Sequence, residues 1–126
     1  MKLFPKILTV ATSVLLAAGS LAVAPIGANQ SASAETIISQ LGSDIDGATA
    51  DDNSGRSVSL SSDGTRVAIG APGSSPGKGQ VRIYDWTDGA WVQTGSDIDG
   101  EAAGDRFGTS VSLSSDGTRV AIGATN

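Results

Sequence analysis

Residues 57–71 read Ser-Val-Ser-Leu-Ser-Ser-Asp-Gly-Thr-Arg-Val-Ala-Ile-Gly-Ala, and residues 110–124 repeat them without a change. The Gly-Ser-Asp-Ile-Asp-Gly of residues 42–47 likewise returns at 95–100. Every match has the same offset of 53 residues, so the register never breaks between the two copies. Such a pattern marks a duplicated structural unit. Tandem units of this kind stack on one another because a single unit cannot bury its apolar face alone.

Inside one period the alternation is that of β-strands. Val58 and Leu60 alternate with Ser57, Ser59 and Ser61; Val67 and Ile69 alternate with Arg66, Ala68 and Gly70. Val81 and Ile83 alternate with Gln80, Arg82 and Tyr84, and residues 91–94 supply a fourth short segment. Period-two alternation bounded by Gly, Asp and Ser is the strand signature. Asp63-Gly64 and Asp88-Gly89 stand between segments as tight-turn dipeptides. No stretch after residue 34 carries a helical period.

Four short antiparallel strands in about 40–55 residues is the content of one β-propeller blade. The expected fold is therefore all-β, with tandem four-stranded antiparallel blades of β-propeller type. Val58, Leu60, Val67 and Ile69 form a bulky face, while Ser59, Ala68 and Gly70 are small enough for a neighbouring blade to approach. The competing reading is a one-sided sheet with its serines in water. The repeats span 42–94 and 95–126, and residues 37–41 fall on the fourth strand of a preceding blade. That makes about one and a half blades plus an orphan strand, where propellers need about four blades or more. The expected partners are thus further blades of the same protein or other copies of the chain, with a protein or glycan as external ligand.

Residues 1–34 differ from the rest. Lys2 and Lys6 precede an apolar run from residue 7 to 18, and Ala32-Ser33-Ala34 is a small-x-small site. This is the layout of a secretory signal peptide cleaved after Ala34, with the earlier Ala24 disfavoured because Pro25 follows it. An uncleaved anchor over residues 7–26, roughly 20 residues, is the alternative, weakened by Gly19, Ser20 and Pro25. The expected location is secreted, periplasmic or cell-surface. Removing the leader takes two of eight basic residues and none of thirteen acidic ones, leaving six against thirteen and a net charge of −7. An acidic surface disfavours nucleic acid and anionic lipid. There is no cysteine, so no disulfide staples the fold.

Phe107-Gly108 and Gly123-Ala124 frame the second copy of the hairpin; Ser54-Gly55 and Gly70-Ala71-Pro72 frame the first. This framing resembles the FG-GAP repeat, the blade unit of the integrin α-subunit propeller and of many exported bacterial proteins. The resemblance runs from about Gly42 onward and implies a propeller scaffold with a binding or adhesive role. Members of that family often carry a calcium loop, D-x-D-x-D-G-x-x-D, between the framing pairs. Here residues 61–66 offer one carboxylate, Asp63, beside a cation, Arg66, and Ser54 stands in place of Phe. The family's metal site does not transfer.

Chemistry has little to draw on. With neither His nor Cys there is no Ser-His or Cys-His pairing. No carboxylate pair stands out from the Asp residues that flank turn glycines, so no catalytic residue and no cofactor site is assigned. Enzyme activity would require catalytic groups from a larger propeller. The one metal candidate is Asp97, Asp99, Glu101 and Asp105, spaced as positions 1, 3, 5 and 9 of a calcium loop. Gly100 sits at position 4 rather than 6, and the first copy keeps only Asp44, Asp46 and Asp52. The simpler expectation is Asp side chains capping their own turns, with no specific calcium. Residues 73–79 lack phosphate-loop spacing and read as a flexible connection. Tyr84, Trp86 and Trp91 read as packing between blades, with a sugar-stacking platform as the alternative. Together these readings point to a non-enzymatic binding or adhesion module, with a purely structural spacer as the second reading.

Overall fold

The computed structural model describes residues 8–12 and 36–125. Most of the expected leader, residues 1–7 and 13–34, lies outside the described residues. The described residues are mostly β, with turns and loops and one short helix. A first antiparallel pair joins β1 (Leu8–Thr12) to β2 (Thr36–Gln40), with Val10 opposite Ile38. Residues 36–40, which overlap the segment read as an orphan strand at 37–41, pair with Leu8–Thr12 of the expected leader. Among the described residues no helix is long and apolar enough to cross a membrane.

The main sheet follows the chain. β3 (Ser57–Leu60), β4 (Arg66–Ala71), β5 (Gln80–Thr87) and β6 (Ala90–Gln93) run antiparallel in sequential order. A short β7 (Ile98–Asp99) adds to β5 through Gln80 and Val81. β8 (Ser110–Leu113) and β9 (Val120–Gly123) then form a second hairpin. Its register reproduces the first: Ser57 faces Gly70 and Leu60 faces Val67, as Ser110 faces Gly123 and Leu113 faces Val120.

The duplication extends beyond the hairpins. Gln40 Nε2 donates to Gly42 O and Asp44 Oδ1, and Gln93 Nε2 does the same to Gly95 O and Asp97 Oδ1. Asp52 caps Thr49 N–H as Asp105 caps Ala102 N–H. Positive φ recurs at Asn53 (56°) and Arg106 (50°), on the same step of the repeat. The repeat has settled into the same backbone twice, even at Asn53 and Arg106, where the residues differ.

β4 sits where both faces are covered. Val67 and Ala68 are fully buried and Ile69 is 2% exposed. This explains why its alternation is apolar against small rather than apolar against polar. On the bulky face Val67, Ile69, Tyr84 and Ile45 make the core, with Trp91 against it. On the other face the small residues let the second hairpin approach, and β8 packs on β3 and β4. Gly70 is required there, because a Cβ would collide with Gly108 O. Ser57 Oγ donates to Gly108 O (2.8 Å), and Leu113 N–H donates to Ser59 Oγ (2.8 Å). The serines of β3 thus bond to the second hairpin.

Two local features differ from the sequence reading. The connection over residues 73–79 contains a helical turn, α1 (Ser74–Gly77), with Ser75 at φ 44°. Lys78 N–H and Gly79 N–H close it onto Ser75 O and Ser74 O, which satisfies backbone groups near a buried segment. Asp63-Gly64 lies in a four-residue loop closed by Ser61 N–H to Arg66 O (2.9 Å), rather than a two-residue turn. Only Asp88-Gly89, at φ 50° and 83°, makes the two-residue hairpin, between Thr87 and Ala90.

Candidate functional site

The carboxylates of residues 97–105 split into two groups. Gln80, buried on β5, reaches Asp97 Oδ2 (2.7 Å) and Asp99 Oδ1 (3.1 Å) through its amide nitrogen. Gln93 Nε2 reaches Asp97 Oδ1 (2.6 Å), and Arg82 Nε lies 3.4 Å from the same oxygen. Arg82 Nη2 also donates to Gln80 Oε1 (2.9 Å), so the network is mutually oriented. Asp105 turns away and accepts from Ala102 N–H (2.8 Å). Glu101 is exposed. Among the described residues no group of three or more acidic side chains converges on a point. Asp97 and Asp99 come together on amide and guanidinium donors, which compete with a cation for the same oxygens.

The loop of the first hairpin, residues 61–66, is equally self-contained. Asp63 Oδ1 accepts from Ser61 Oγ (2.7 Å), Thr65 N–H (3.0 Å) and Thr65 Oγ1 (2.9 Å). Asp116 repeats this with Ser114 and Thr118. The Ser114 hydroxyl bond, followed by the Thr118 N–H, holds the Asp116 carboxyl down at about 2. One carboxylate already bearing three donors does not fit a divalent cation.

Arg66 lies beside this loop and joins three segments. Its Nε and Nη2 bond both oxygens of Asp85 (2.6 and 2.8 Å), and Nη1 donates to Gly117 O of the second hairpin (2.8 Å). The fork fits a carboxylate in a way a lysine cannot. Hydrogen bonding to Arg66, then to Thr94 Oγ1, depresses the Asp85 carboxyl. Arg66, Asp85, Trp86 and Asp116 line a polar cavity of about 330 Å³. Both charges are committed to each other, so the cavity is a structural joint rather than a reactive one.

A second cavity, about 320 Å³, opens on the bulky face of the sheet. Tyr84 and Trp91 supply its aromatic wall, and Asp44 and Asp46 are among its polar lining. Trp91 Nε1 donates to Leu41 O (3.3 Å), which fixes the indole against the chain leaving β2. Trp86 stands against Trp91 with centroids 5.2 Å apart and planes at 59°. Trp91 packs on the Val67–Ile69–Tyr84 cluster while keeping part of its ring at the groove. Trp91 thus packs on the core of its own sheet and on Leu41 rather than between two blades. Asp46 was not singled out from the sequence for this groove. Its only signal was Ile45 beside it, an apolar residue in an otherwise polar segment. Compared with protein-family models, curated proteins and solved structures, the chain finds no match in any of the three.

Proposed function

We propose that the chain is a non-enzymatic binding or adhesion module of a secreted or cell-surface protein, built on propeller-type blades similar to FG-GAP repeats. The sheet of β3–β6 is one blade, β8–β9 half of the next, and the loops between them face a protein or glycan ligand. The observation that carries the reading is the groove at Trp91. A partly exposed indole held rigid by its own N–H bond stands beside exposed carboxylates on a stiff sheet. Sugars stack on such aromatic faces while carboxylates accept their hydroxyls, and ligand loops sit on rigid β scaffolds.

Of the two tryptophans, Trp91 lines this groove and Trp86 the other cavity, so indole fluorescence of a Trp86→Phe background reports on the groove. A panel of oligosaccharides and extracellular-matrix proteins titrated against the chain should give one class that shifts the emission saturably. The Asp46→Asn variant should weaken it without unfolding the chain. No response from any class, or a response indifferent to Asp46→Asn, refutes the reading; Trp86→Phe leaves Trp91 as the sole reporter and should keep the shift. The export half of the proposal is checked by N-terminal sequencing of the released product, which should begin at Glu35.

A further inference from the structure

The two identical hairpins differ in what covers them. Val58 and Leu60 on β3 are 46% and 47% exposed, whereas their copies Val111 and Leu113 are half-buried under the first sheet. The reverse holds on the small-residue face. Ser57 and Ser59 are engaged by the second hairpin, whereas their copies Ser110 and Ser112 are exposed. Arg66 bonds Gly117 O, yet its copy Arg119 is exposed and its side chain makes no hydrogen bond among the described residues. Sequence identity removes composition as the cause. What remains is that, among the described residues, each hairpin leaves open the half of a mating surface that its copy has covered.

The interface within the chain shows how those halves fit. Ser57 Oγ, Ser62 N–H and Arg66 Nη1 donate to the carbonyls of Gly108, Ser115 and Gly117. One repeat earlier, those carbonyls belong to Gly55, Ser62 and Gly64, and none of them accepts a hydrogen bond among the described residues. β3 is also the edge of its sheet, so the Leu60 N–H is free to take the part Leu113 N–H plays toward Ser59. The open donors and open acceptors are the same set, in the same order.

We propose that these two faces mate between molecules: the Ser110–Ser112–Arg119 face of one copy of the chain docks head to tail on the Val58–Leu60 face of a second copy. A heterologous contact of this type leaves one free face of each kind at the ends of the assembly, so it propagates rather than stopping at a symmetric dimer. The occupant is argued from the chain itself, since the same surfaces already pack together once inside it. The inference does not depend on the Trp91 groove being a ligand site.

Sedimentation of the purified chain over roughly 1 µM to 1 mM should show concentration-dependent association. Leu60→Arg blocks one face and Ser112→Arg the other, and each alone should weaken association at least tenfold. Mixed in equal amounts, the two variants should form a 1:1 dimer, because each keeps the face the other lost. Val58→Lys and Ala121→Arg provide a second pair should either of the first lose its folded circular dichroism spectrum. The proposal is overturned if the parent chain stays monomeric throughout. It is equally overturned if the blocked variants associate like the parent, as association through the apolar leader would produce, or if mixing restores nothing.

Discussion

Replacing Arg66 by alanine removes two interactions the structure places at one joint. The bidentate pair with Asp85 involves side chains 32% and 30% exposed, so it is worth about 1 kcal/mol rather than the value of a buried pair. The bond from Nη1 to Gly117 O contributes about 1 kcal/mol more, as that carbonyl lies in a loop whose glycine is buried. The expected loss is about 2 kcal/mol, or about 10 °C in Tm for a folded region of this size. Arg119→Ala is the internal control. It makes the same change in the same fifteen-residue sequence, but Arg119 is exposed and its side chain makes no hydrogen bond among the described residues. At micromolar concentration its cost should stay within about 0.5 kcal/mol. The assay is thermal unfolding followed by circular dichroism, with a double-mutant cycle against Asp85→Ala expected to return about 1 kcal/mol of coupling. Equal effects of the two alanine variants would refute the asymmetry between the copies. So would an Arg66→Ala variant as stable as the parent.

Arg106 holds φ at 50° where the first copy has Asn53 at 56°, and Asn tolerates that region better, so Arg106→Asn should gain about 0.5 kcal/mol in denaturant unfolding. Acid should destabilise the fold in a defined window. Asp63, Asp85 and Asp116 all lie below their ordinary 3.8 when folded, each chiefly through a side-chain hydrogen bond. Their contribution is therefore present above about pH 4 and is lost as pH falls toward about 2, where Asp116 titrates, and Asp116→Asn should flatten the lower end of a stability–pH curve. Calorimetry should find no micromolar calcium site, because the oxygens of Asp97, Asp99 and Asp105 already accept protein donors. One equivalent bound and abolished by Asp99→Ala would contradict this.

The strands were legible because their alternation is regular: Val58/Leu60, Val67/Ile69 and Val81/Ile83 all lie in β-strands of the sheet. The division into a bulky and a small face was legible for the same reason, and Gly70 shows why the small face must be small. β7 was not legible, since Ile98–Asp99 becomes a strand only through its pairing with Gln80 and Val81, and no local pattern encodes that partner. The turn at Ser74–Gly77 was hidden by a Gly-rich composition that favours no regular structure. At the groove, the aromatic residues stood out, but Trp91's position against Leu41 depends on a contact 50 residues distant along the chain. The acidic spacing of residues 97–105 was visible too. Which oxygens it leaves free depends on Gln80, Arg82 and Gln93, and the spacing does not include them.

On the packing of β8 over β3 and β4, a 53-residue unit is expected to gain its stability by setting its small face on the bulky face of a like neighbour. Appending one, two and three further units with the sequence of residues 42–94 and measuring thermal unfolding of each product tests it most directly. The expected result is a transition temperature that climbs with each added unit and a transition that stays cooperative, as neighbour-coupled repeats require. A transition temperature that stays at the parent's value, with added units unfolding separately at lower temperature, would contradict it.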